Sequence, residues 1–128
     1  MLKQFFVALG SFLLIDGLWL TVVAKNFYNK HLGFLMTKTP NLLAAAIFYL
    51  IYVFAMIVFV ISPGIAKGSF WSLVLNASLF GLVCYATYDL TNMATIQNWP
   101  LTVTLVDIAW GVFASILVAA VSFLIFQK

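Results

Sequence analysis

The chain has 128 residues, 66% of them hydrophobic and only 7% charged, with a mean hydropathy of +1.17. A soluble domain carries roughly 25% charged residues, so a water-facing fold is excluded. The net charge of +3 comes from six lysines scattered along the chain, which form headgroup-level ammonium groups and no nucleic-acid-binding patch.

Spans of about 20 residues would use nearly the whole chain, so residues 1–128 are read as a single membrane domain. The first span is expected over about residues 5–24, where an apolar run follows Lys3 and continues through Asp16 without an Ala-x-Ala-type cleavage site. The stretch KNFYNKHLGFLMTKTP places Phe27, His31, Phe34 and Leu35 at helical spacing among Lys25, Lys30 and Lys38, a pattern that suits a short helix lying at the interface or, nearly as well, a plain polar loop. Thr39-Pro40 reads as the start of the next helix, a hydroxyl cap followed by a proline in the first turn. That second span is expected over residues 42–61, ending at Ser62-Pro63-Gly64, with Ala45, Tyr49, Tyr52, Met56 and Phe59 in one stripe.

Ser69 caps the third span, residues 70–92, on which Ser78, Gly81, Tyr85, Tyr88 and Asn92 share a face and Asp89 lies in the neighbouring row. The turn MATIQNWPL is short and uncharged; Trp99 suits a headgroup belt and Pro100 the first turn of the fourth span, residues 102–126. Gly111, Ser115 and Ala119, four residues apart, form a small-residue seam. It suits either another helix of the chain or a homodimer contact through this span. The expected fold is an all-α integral membrane protein, a four-helix bundle running up-down-up-down.

Alternating direction fixes which helix ends share a membrane face. Measured back from the face that carries the first and third turns, Asp16, Asp89, Asp107, Tyr49 and Tyr52 all fall within about 20 Å at 1.5 Å per residue. Three acids are thus gathered in one half of the bilayer, and no lysine lies inside any expected span. Ionisable residues at that depth are costly, and they mark ligand or proton sites or neutral acids that staple helices together. Two acids repeat a local pattern, Asp16-Gly17-Leu18-Trp19 and Asp107-Ile108-Ala109-Trp110. Spacing of three puts each indole on the face of its own acid, and the opposite run of the two helices hints at an inverted repeat.

Cys84 stands alone within a span, so it forms no internal disulfide or Cys-x-x-Cys pair and is expected to pack as a thiol. His31 has no second strong nitrogen or thiolate ligand, so no metal or haem site is expected, and no cofactor is read.

The strings FYLIYVFAMIVF, YATYDLTNMATIQNWPLTVTLVDIAWG and the early DGLW resemble a family of small bacterial four-span membrane proteins known as domain-of-unknown-function family 2177. The resemblance spans essentially the whole chain. It implies a helical inner-membrane protein and assigns no reaction. A membrane-embedded acid beside aromatic rings is also the logic of small multidrug transporters, an analogy without shared motifs.

The leading functional reading is a binding or transport protein that responds to protons or to a cationic or polar small ligand. Asp16, Asp89 and Asp107 would be its responsive groups, with Asn92, Tyr49, Tyr52, Tyr85, Tyr88, Trp19 and Trp110 around them. A second is a membrane enzyme acting on lipid or isoprenoid, with an aspartate as general base. A third is a structural subunit of a larger membrane complex. Lys3, Lys67 and Lys128 fall on one side and Lys25, Lys30 and Lys38 on the other, so the positive-inside rule is nearly balanced and the α-amine tips the N-terminus inward.

Overall fold

The computed structural model describes residues 1–127; Lys128, expected on the side of Lys3 and Lys67, lies outside them. Helices α1 (Leu2–Val23), α3 (Leu42–Lys67), α4 (Phe70–Thr95) and α5 (Leu101–Phe126) are each long and apolar enough to cross a bilayer. The short α2 (Lys25–Leu32) follows α1, where the sequence suggests an interfacial helix. Large apolar side chains stand outward on every span, Leu14 at 71%, Leu43 at 71%, Leu75 at 70% and Leu124 at 72% exposure. Such a surface matches hydrocarbon and not water.

Two of the helix starts differ from expectation. The cap of α3 is Asn41, whose side chain accepts the Ala44 N–H at 3.0 Å, so Thr39-Pro40 lies ahead of the helix and not in its first turn. Ser69 does cap α4, accepting the Ser72 N–H at 3.3 Å. Pro100 occupies the cap position just before α5.

Ser62-Pro63-Gly64 does not end the second span. Residues Ile57–Ile61 form a wide π-helical turn, and Pro63 falls in the first turn after it. A proline is tolerated there because the wide turn already takes a carbonyl out of the regular ladder. The helix runs on to Lys67 and stops at Gly68, whose φ of 64° is left-handed. The extra residue also rotates the buried stripe. Tyr52 and Met56 lead to Ile57, Val60 and Ile61, all buried, while Phe59 turns outward at 67% exposure.

The closest pair of spans is α4 and α5. A Cβ on Gly81 would strike the Gly111 carbonyl, and one on Gly111 would enter the Tyr85 ring. Gly111, Ser115 and Ala119 are all buried within the chain, Gly111 and Ser115 directly against Gly81. The second half of α3 packs on α1, α4 and α5, whereas its first half packs chiefly on α1. The bundle therefore forks toward the end that carries α2, and the fork holds the cavity described next.

Candidate functional site

A half-open cavity of about 350 Å³ fills the fork. Asp16, Trp19 and Leu20 of α1, Tyr28 of α2, Phe48, Tyr49 and Tyr52 of α3, Cys84, Tyr85 and Tyr88 of α4, and Asp107 and Trp110 of α5 line it. Each helix contributes at least one aromatic ring, and no lysine is among the lining residues.

Asp16 is 7% exposed and each of its oxygens accepts one hydrogen bond. The Tyr49 hydroxyl donates to Oδ2 at 2.7 Å and the Trp110 indole N–H donates to Oδ1 at 3.1 Å. At Asp107, also 7% exposed, the Tyr28 hydroxyl donates to Oδ1. The Trp19 indole N–H in turn donates to the Tyr28 hydroxyl at 3.2 Å. Asp16 therefore accepts directly from one phenol and from the indole of the opposite motif, whereas Asp107 accepts from a phenol that the Trp19 indole holds. The spacing of three predicts an indole beside its own acid; instead the two rings cross between the helices and stack, centroids 4.3 Å apart and 6° from parallel. Each ring buries a face against the other, while the Trp110 N–H reaches Asp16 on α1 and the Trp19 N–H reaches Tyr28 on α2.

Tyr28 is the residue that sequence reasoning missed. The last turn of α1, Trp19–Val23, is wide, and the Ala24 N–H returns to the Trp19 carbonyl at 2.7 Å. This bend folds α2 back against the end of α1 and aims Tyr28 into the bundle. Burial, with the Asp107 carboxyl beside it, pushes the Tyr28 phenol well above its ordinary value, so it remains a donor. No period extends across the bend at Ala24, and the only sequence signal was an aromatic residue in a lysine-rich stretch.

Asp89 is fully buried but does not line the cavity. Its carboxyl faces that of Asp107, and neither of its oxygens meets an N–H or O–H donor among the described residues. A contact between two carboxyls is a hydrogen bond only when the pair carries a proton. The packing of α4 follows the row Leu73, Ala77, Gly81, Tyr85 and Asp89, so Asp89 takes the central place that the sequence gives to Tyr88 and Asn92. Tyr88 sits at the rim, 58% exposed, with its ring edge-on to Trp99 at 6.1 Å. Asn92 is half-buried one turn further on and is not among the lining residues.

Deeper in, the Tyr52 and Ser115 hydroxyls lie 2.6 Å apart, and Ser115 donates to the Gly111 carbonyl at 2.6 Å. Tyr52 is stacked on Phe12 at 4.9 Å, which fixes the floor. Cys84 is half-buried on the wall. His31 lies outside the cavity and pairs its Nδ1 with the Phe27 carbonyl at 2.9 Å.

A sequence profile of predicted membrane proteins, DUF2177, matches residues 1–124. The chain belongs to this family. No curated protein and no solved structure matches it. The matched residues of this DUF2177 protein include all three aspartates, both crossed tryptophans and Tyr28.

Proposed function

We propose that this DUF2177 protein is a binding or transport protein of the bacterial inner membrane whose cavity takes an organic cation, with Asp16 and Asp107 as the counter-charges. The observation that carries the reading is a set of two carboxyls inside an aromatic-walled cavity that no lysine enters. An ionised group held away from water needs an opposite charge, and aromatic faces add cation–π attraction to a desolvated ammonium. A cavity of about 350 Å³ suits a small ligand, at the lower end of the usual range of roughly 300–1,000 Å³.

The test is thermal unfolding of the purified protein in detergent with benzyltrimethylammonium and with its uncharged carbon isostere. The cation is expected to stabilise by about 2.7 kcal/mol when present at a hundred times its Kd, and the isostere is expected to have little effect. Asp16→Asn and Asp107→Asn should each weaken the response at least tenfold while the protein still folds. Equal stabilisation by the two probes would sink the reading.

A second reading, a lipid- or isoprenoid-modifying enzyme, draws on the phenol of Tyr28 bonded to Asp107, an acid–base pair beside an apolar wall. It predicts altered lipid species in cells when Asp107 is replaced, and an unchanged lipid profile would count against it.

A further inference from the structure

The cavity holds two acid stations, each built from a carboxyl, a phenol and an indole. At one, Asp16 accepts from Tyr49 and Trp110; at the other, Asp107 accepts from Tyr28, which is itself held by Trp19. The stacked indoles lie between them. All partners of Asp16 are donors, the arrangement of a carboxylate. Behind Asp107 stands Asp89, fully buried, its oxygens without a protein donor and its carboxyl against that of Asp107. A single proton shared by that pair would leave two negative charges on the three carboxyls, one at each station. No lysine among the lining residues offsets either. A single cation would neutralise one station and leave the other an unpaired buried ion.

We infer that the occupant is a dication, a diamine whose two ammonium groups seat at Asp16 and Asp107 while its hydrocarbon linker runs past the stacked pair of Trp19 and Trp110 along the aromatic wall of the cavity. This rests on the cation reading above and adds the number and placement of the charges. A carboxylate offers about four acceptor directions, and the protein uses two of them at Asp16, so an ammonium with three donors can join without displacing the existing bonds. The linker meets apolar ring surface, which an alkyl chain fills and a hydrated polar chain does not.

The experiment compares α,ω-diaminoalkanes of four to ten carbons with the primary monoamines of equal length, by thermal stabilisation and by calorimetric titration of the purified protein. The diamine of best length is expected to bind about 10- to 100-fold more tightly than its monoamine, the worth of one further charged hydrogen-bonded contact. Affinity should peak at one length and fall on both sides, and Asp16→Asn or Asp107→Asn should each bring the diamine down to the monoamine level. The comparison on the unaltered protein needs no variant to fold. Equal affinity of diamines and monoamines, or a smooth rise with chain length that ignores the second amine, overturns the two-charge site and leaves the cation pocket standing. Absence of binding by every amine overturns both.

Discussion

Tyr28 bridges the two motifs, because its hydroxyl accepts from Trp19 and donates to Asp107. Removing it in Tyr28→Phe should lower stability by about 0.6–2 kcal/mol, the range for hydrogen bonds between membrane helices, and should loosen α2, measured as faster proteolysis after Lys25 or Lys30. Tyr49→Phe removes only one of two donors to Asp16 and should cost less. At Asp89 the missing partner is a donor, so Asp89→Asn, which brings an amide N–H to face Asp107, should hold or raise thermal stability by about 1 kcal/mol. Asp89→Ala should lower it by opening a void. Cys84 offers a native reporter on the cavity wall. Its alkylation by a cationic thiol reagent is expected to slow when a bound cation fills the cavity, and an unchanged rate would show that the cation sits elsewhere.

Two elements carry the architecture. In the α4–α5 seam the backbones approach so closely that side-chain atoms have no room at Gly81 or Gly111. Gly81→Val should cost about 1–3 kcal/mol by overpacking, whereas Ala109→Val on the outward side of α5 should be nearly neutral in the same unfolding assay. The wide turn Ile57–Ile61 sets the rotation between the two halves of α3, with Tyr49 and Tyr52 on one half and Val60 and Ile61 on the other. Deleting Phe59, which faces outward, should restore a regular turn and carry the second half about 100° round the axis. Tyr49 and Val60 would then no longer face the core together, and a sharp fall in thermal stability is the expected result.

At the scale of the whole molecule, the cavity lies at the end that carries α2 and the 96–100 turn, the side of Lys25, Lys30 and Lys38. The opposite end carries Lys3 and Lys67. An N-terminus on the inside, as the sequence expectation has it, would turn the cavity to the outer side. In a Cys84→Ala background, Thr37→Cys and Gln97→Cys should then label from outside with an impermeant maleimide, and Lys67→Cys only after permeabilisation. The lysine balance is narrow, so adding Ile96→Lys and Gln97→Lys should draw that turn inward and reverse the labelling pattern.

The sequence by itself determined the membrane class, the number of spans and the gathering of the acids toward one end of the bundle. Hydropathy, caps and helical rise are local quantities, and each can be read without knowing what lies opposite. Which indole serves which acid, the entry of Tyr28, the isolation of Asp89 from protein donors and the rotation of α3 past its wide turn were decided only by tertiary structure. All four depend on how two helices are rotated against each other, and that rotation follows from the fit of Gly81 to Gly111 and from the bend at Ala24. No periodicity within a single helix records such a fit.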